Sequence, residues 1–428
     1  MVLNEIGQKI DIASDKGNIV EINSCILELK SLLNKAINSK ETFTIAYYLS
    51  NANYCLYQII ESRNGLKQIP NSKYLQESKK YYRIAKEKIK RLDPLFKKQL
   101  LVNYANCLDY LGRSVEALYI YDEALEIDST FSMAIGNKAI TSNYFSSITG
   151  EYRDVIRIET FQTLKKIIND PNLVNIGGLN AKKHFIKIIK NIDFSTKNKE
   201  LLNKTIEHKP YSKIGLSNFE KYYLDFCIKN DLFLNFHIQD KNCEAAVCDP
   251  IFIKIITKTH DKTSFYNLSR YINQIKEDYA VARVLLVKSQ FKQDDISNIS
   301  RRTLYANPLD YSQSHLYNGF LKSAFKESYD VLDKIAVFLK HYFNLKVDDE
   351  KIYFDSNPKN DSSFWVRKIK DYNEEVIIKD EILNTNNISL FALFDIYKDF
   401  RNGYYKGIKD IRNALTHRQL TIYENIIK

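Results

Sequence analysis

Near the end of the 428-residue chain, Arg412, Asn413 and His417 fall within six consecutive positions, in the run Arg412-Asn413-Ala414-Leu415-Thr416-His417. An arginine presents a permanently charged planar fork to a phosphate, and an imidazole titrates near neutral pH as acid or base. An asparagine amide orients an imidazole or a substrate. Together these groups suit phosphodiester cleavage in RNA, where the ribose 2′-OH serves as nucleophile and the protein has chiefly to position it and stabilise phosphorane charge. Such a scheme needs no metal and no cofactor.

The three residues work together only if one element presents them together. On a helix at 100° per residue, with Arg412 at zero, Thr416 lies at about 40°, Asn413 at about 100° and His417 at about 140°. Ile408, Ile411 and Leu415 lie between about 260° and 320°, so the opposite side is apolar and is expected to seat the helix in a bundle. Arg418, at about 240°, falls off the polar arc. A polar helix face with Arg and His also fits plain solvation, so the surrounding elements carry weight.

Those elements read as helices. Leu321, Phe325, Tyr329, Leu332, Ile335, Leu339 and Tyr342 recur at three- and four-residue steps, the pattern of a long amphipathic helix. Asn307-Pro308-Leu309-Asp310 marks the boundary before it, with Asp310 available as a cap. After a polar stretch containing Asn357-Pro358 come a second patterned run, Leu390 to Phe400, and a last one from Tyr405 to Ile426. Residues 306–428 are expected to form a bundle of about four helices. Residues 176–305 read as a helical connecting region, with one helix from Phe219 to Leu232, one or two from Tyr266 to Val287, and breaks at Asp240-Lys241-Asn242 and Asp249-Pro250.

The N-terminal part carries an internal repeat. Leu49-Ser50-Asn51-Ala52-Asn53-Tyr54-Cys55-Leu56 nearly recurs as Leu101-Val102-Asn103-Tyr104-Ala105-Asn106-Cys107-Leu108. The second copy continues through Leu111-Gly112, Glu116-Ala117, Tyr121 and Ala124-Leu125, with small residues where two antiparallel helices must approach. Asp93 and Asp128, at the ends of the two copies, lie 35 residues apart, against a repeat period of about 34 for tetratricopeptide (TPR) units. A third hairpin is expected to start near Met133-Ala134-Ile135-Gly136. Residues 42–175 read as TPR-like repeats, and about 42–170 resemble the tetratricopeptide family, without its signature Trp and with an insertion near Ser62–Lys73. Residues 1–41 read as a helical cap. Such units are stable by stacking, and their concave face commonly binds a partner. An irregular helical bundle is the other reading.

Composition sets bounds. Only 12 Gly and 7 Pro disfavour a many-stranded architecture. No apolar stretch approaches the roughly 18 residues of a membrane span, and Met1-Val2-Leu3-Asn4-Glu5 lacks a signal-peptide pattern, so a cytoplasmic protein with no membrane partner is expected. Six scattered Cys give no disulfide framework. A net charge of +11 favours a polyanionic partner, though surface solvation by Lys explains it as readily.

Arg412, a polar Asn413 and His417 on a final helix resemble the motif of the HEPN superfamily. Leu321-Lys322-Ser323-Ala324-Phe325 and Asp333-Lys334-Ile335-Ala336 resemble the first helix of its TPR-fused prokaryotic branch. Tyr223-Leu224-Asp225-Phe226-Cys227, Leu232-Phe233-Leu234-Asn235 and Glu277-Asp278-Tyr279-Ala280-Val281-Ala282-Arg283 are similar to that branch as well. The resemblance implies an all-α chain, an N-terminal TPR-like helical-hairpin solenoid followed by a C-terminal HEPN-type helical bundle. It implies an endoribonuclease with Arg412, Asn413 and His417 as catalytic residues, a homodimer through the C-terminal domain with a composite cleft, and a role in defence, toxin or abortive-infection systems. A protein or small-ligand regulator is expected on the repeats. The alternative is a catalytically inactive HEPN/TPR protein that serves in interaction or nucleotide binding.

Other candidates are fewer. Cys243 and Cys248, with His237 and His260, offer a zinc-like set at marginal spacing. Asp333 and His341 stand on the first C-terminal helix, where they line a cleft or serve as interhelical hydrogen-bond groups.

Overall fold

A computed structural model describes residues 2–89, 93–146, 153–192, 194, 200, 202–203, 209–235, 243–250, 262–306, 309–344, 352–355, 363–367, 377–401, 403–418 and 420–423. Helices dominate these residues, as expected for an all-α chain. They divide into two compact units, one formed by residues 1–147, 151–206 and 377–395, the other by 148–150, 207–376 and 396–428.

In the first unit α1 (Val2–Asp15) and α2 (Ile19–Leu33) precede three consecutive helix pairs. These are α3 (Ser39–Leu56) with α4 (Lys73–Glu87), α5 (Pro94–Tyr110) with α6 (Ser114–Ile127), and α7 (Ser132–Phe145) with α8 (Arg153–Ile167). Side-chain caps begin several of them: Asn38 accepts from the Glu41 N–H, Ser72 from Leu75 and Asp93 from Leu95. The expected insertion is present as π- and 3₁₀-turns across Tyr57–Asn71. Helix α9 (Pro171–Asn191) packs on α7 and α8, and a Cβ at Gly136 would meet the Phe185 ring at 2.5 Å, so the small residue permits that approach. One core runs through Leu75, Tyr82, Leu101, Tyr104, Leu108, Ala117 and Tyr121, and a second joins α1 and α2 to α3 through Ile10, Ile22, Leu29 and Leu49.

Gly112 ends α5 in the left-handed region, at φ +78°, where glycine carries no Cβ penalty. The Gly112 and Arg113 N–H groups donate to the Asp109 and Leu108 carbonyls, closing the helix end. A Cβ at Gly112 would lie 2.5 Å from the Ile388 carbonyl oxygen. Ile388 and Ala392 belong to the stretch 377–395, which completes this unit and brings Asp395 to Lys79 and Arg113.

The second unit contains α10 (Asn218–Lys229), α11 (Lys262–Gln290), α12 (Asp294–Arg302) and α13 (Leu316–Tyr342). Helix α14 (Asp380–Leu383) belongs to the first unit, and α15 (Ile388–Arg401) gives its residues up to 395 to the first unit and the rest to the second. Helix α16 (Lys406–His417) is the last. Helices α11 and α13 pack along one another, with Lys334 paired to Asp278 and the His341 ring stacked 5.0 Å from Tyr271. His341 is therefore an interhelical contact.

The three upstream segments that resembled the HEPN branch converge on one side chain. Arg283 donates to both Asp249 carboxylate oxygens at 2.7 and 3.0 Å, to the Leu232 carbonyl at 2.9 Å and to the Tyr223 hydroxyl at 2.6 Å. Its guanidinium carbon also lies 4.6 Å from the centre of the Phe233 ring. Burial of such a charge is tolerated because nearly every donor has a partner.

Two expectations change. The last helix ends at His417 instead of continuing past Arg418, which is extended. Beyond it β2 (Ile422–Tyr423) pairs antiparallel with β1 (Ser312–Gln313), a two-residue ladder within an all-α architecture. Helix α13 is capped by His315, whose Nδ1 accepts from the Tyr317 N–H, while Asp310 accepts from Ser312 in the turn before it. The expected breaks at Asn307-Pro308, Asp240-Lys241-Asn242 and Asn357-Pro358 lie outside the described residues.

Candidate active site

Helix α16 packs against α13. The expected seat was apolar, yet Ile408 and Ile411 remain 36% and 39% exposed, and no residue of α16 is fully buried. The basic side chains make the contact instead. Arg412 turns inward, its guanidinium carbon 5.4 Å from the centre of the Tyr329 ring. Its Nη2 lies 3.7 Å from Asp330 Oδ1 and 3.9 Å from Asp333 Oδ2, both on α13. Lys409, one turn earlier on α16, pairs with Asp355 at 2.7 Å. Arg412 over the acidic and aromatic face of α13, with Lys409 on the neighbouring Asp355, thus marks the side of α16 that docks.

The carboxylates are held by their surroundings. Asp333 accepts from the Phe354 N–H at 2.8 Å, and Asp355 accepts from the Tyr329 hydroxyl at 3.0 Å. Burial, reinforced by Asp355 and Asp330, pushes the Asp333 carboxyl up to about 6, against the opposing pull of the Phe354 N–H and Arg412. Burial, followed by the charge of Asp355, raises the Tyr329 hydroxyl well above its ordinary range. Tyr329 is fixed on its other side by Phe400, whose ring centre is 5.7 Å away, and Phe400 packs on Phe354 beside the fully buried Trp365.

Arg412 is held without being consumed. Distances of 3.7 and 3.9 Å exceed hydrogen-bond range, and its buried Nε has no partner among the described residues. The fork retains donors for an anion. The backbone carbonyl of Arg412 accepts from the Thr416 hydroxyl at 2.9 Å, which tightens the last turn. Asn413 is half-buried and His417 exposed. His417 lies five positions after Arg412, a rise of about 7.5 Å along the axis.

The sequence therefore placed Arg412, Asn413 and His417 on one helix, but Arg412 faces α13 whereas His417 faces solvent. Reasoning from α16 alone missed Tyr329, Asp330, Asp355 and Lys409. Asp333 reads in the sequence as a lone polar group, and the signal for Tyr329 and Asp330 was their recurrence with Asp333 on one face of α13 at helical spacing, whereas nothing in the sequence marked Asp355 or Lys409. Arg418 is exposed, and because it is not helical its wheel position has no meaning.

Among the described residues no three His, Cys, Asp or Glu side chains are placed to hold a metal ion. Cys243 is buried and Cys248 exposed, and His237 and His260 lie outside the described residues. Among the described residues no helix is long and apolar enough to cross a membrane.

No curated protein and no solved structure matches the chain. A family model does match its C-terminal part, over residues 259–427, and so begins upstream of the boundary expected at 306. That span includes both partners of the α13–α16 contact, and its description is LA2681-like HEPN. Over residues 259–427 the chain is thus similar to LA2681-like HEPN domains.

Proposed function

We propose that the chain is a metal-independent endoribonuclease of the HEPN type, acting in defence, toxin or abortive infection. The observation that carries this reading is the Arg412 guanidinium, positioned by Tyr329, Asp330 and Asp333 yet free of hydrogen bonds among the described residues, on the helix that also exposes His417. In the proposed reaction the ribose 2′-OH attacks the adjacent phosphorus and the bond to the 5′-oxygen breaks. The products are a cyclic phosphate and a 5′-hydroxyl end. Arg412 stabilises the phosphorane charge, and His417 transfers a proton in the reaction. Asn413 orients the substrate or the imidazole.

The exposure of His417 and of the Ile408–Ile411 stripe agrees with a homodimer in which a second C-terminal domain completes the cleft. The net charge of +11 suits an RNA substrate. The helix pairs of the first unit serve as TPR-like repeats that receive a regulator. Expression of the wild-type chain is expected to arrest growth and the His417→Ala chain to relieve the arrest. Equal arrest by both, at equal protein level, contradicts the assignment.

A further inference from the structure

The first unit contains a cleft of about 360 Å³ between α1, α3, α5 and the start of α7, with Ile176 of α9 at its edge. Its size falls in the range of ligand sites. Aromatic rings line it, among them Tyr47, Tyr48 and Phe96, together with the carboxamides of Gln99 and Asn103 and the carboxylate of Asp11. No Lys, Arg or His is among the lining residues.

The amides are arranged. Asn103 Nδ2 donates to the Tyr47 hydroxyl at 3.1 Å, which leaves its carbonyl oxygen as an acceptor. Asn51 is already engaged, accepting from the Tyr82 hydroxyl at 2.7 Å. Phe96 and Ile176 are 47% and 40% exposed, a substantial apolar margin. Asp11 makes no ion pair among the described residues. Partial burial and then the neighbouring Asp15 raise its carboxyl above the ordinary range, the condition of an acid without a counter-charge.

A planar cation answers all of these features. It stacks on aromatic faces, donates to carboxamide oxygens and neutralises one carboxylate. A nucleotide fits poorly, because a phosphate would meet Asp11 with no lining cation. An ammonium is compact and more strongly hydrated, so it makes less use of the rings. We propose that this cleft binds the guanidinium of an arginine side chain presented by a partner polypeptide. The proposal gives a chemistry to the regulator in the functional reading above, and it is tested by binding alone, so that failure of the ribonuclease assignment leaves it standing.

The experiment is calorimetric titration of the full chain with the blocked peptide Gly-Arg-Gly, its citrulline counterpart and its lysine counterpart. The arginine peptide is expected to bind at least about tenfold more tightly than the citrulline peptide, which has the same shape and no charge. Asp11→Asn and Phe96→Ala, both at solvent-accessible positions, should each weaken the arginine peptide by about tenfold with unchanged circular dichroism. Equal binding of the citrulline peptide, no heat with the arginine peptide, or unaltered affinity in both folded variants would overturn the proposal. Tighter binding of adenosine monophosphate than of the arginine peptide would overturn it too.

Discussion

Asp395 and Lys79, 316 positions apart in sequence, meet at 2.7 Å with each side chain only 3% exposed. Arg113 reaches the same carboxylate at 3.1 Å, and the Gln76 amide donates to its other oxygen at 2.6 Å. A carboxylate so enclosed is expensive to remove, because its cations stay buried. Asp395→Ala is expected to destabilise the chain by about 3–5 kcal/mol, measured by chemical denaturation. A cost like that of an exposed charge, below about 1 kcal/mol, would show that the cluster opens to water.

That cluster also marks the limit of what the sequence disclosed. The apolar run from Leu390 to Phe400 announced a helix, and Ile388–Arg401 forms one. Its polar residues Asp395, Lys398 and Asp399 are all buried as well. Periodicity assigns a residue to a side of a helix but not that side to a neighbour, since the partners of Asp395 sit on α4 and just after α5. The same ambiguity misplaced α16. Its wheel was right in grouping Ile408, Ile411 and Leu415, but docking was decided by Tyr329, Asp330 and Asp333 on another helix. The repeat of Asn51 and Asn103 was legible because it is local, as was the small residue at Gly112.

Asp333 predicts a pH dependence of stability. Its folded value of about 6 lies above the ordinary carboxylate range, so between roughly pH 4 and pH 6 the native state holds more protons than the unfolded one. The contribution is fully present below about pH 4 and is lost as pH rises through about 6. Asp333→Asn, which keeps a carbonyl acceptor for the Phe354 N–H, should flatten this decline. Denaturation midpoints at pH 4.5 and pH 7 should then differ less for the variant than for wild type. An unchanged difference would sink the assignment of the slope to Asp333.

Arg412→Lys separates charge from geometry. A lysine keeps the positive charge beside Asp330 and Asp333 but loses the planar fork and its stacking on Tyr329. Cleavage is expected to fall by about tenfold or more while RNA binding changes little. Arg418→Ala, at an exposed position beyond the helix, should cost much less. The reverse order, with Arg418 the more damaging site, would move the phosphate contact out of α16.

Chelation tests the metal-independent part of the scheme. Ethylenediaminetetraacetate should leave the cleavage rate within about twofold, because Arg412 supplies the phosphate stabilisation that a Lewis acid would otherwise give. Loss of cleavage on chelation, restored by zinc or magnesium, would contradict the scheme and direct attention to Cys243 and Cys248.

The most direct test of the central claim is cleavage of a mixed RNA substrate by purified wild-type and His417→Ala protein, with circular dichroism to establish that both are folded. General acid–base catalysis contributes about 100- to 10,000-fold, so the variant is expected to lose at least about 100-fold, with cyclic phosphate ends on the wild-type products. Folded His417→Ala protein that cleaves RNA at the wild-type rate would contradict the account and leave the C-terminal bundle as an interaction domain.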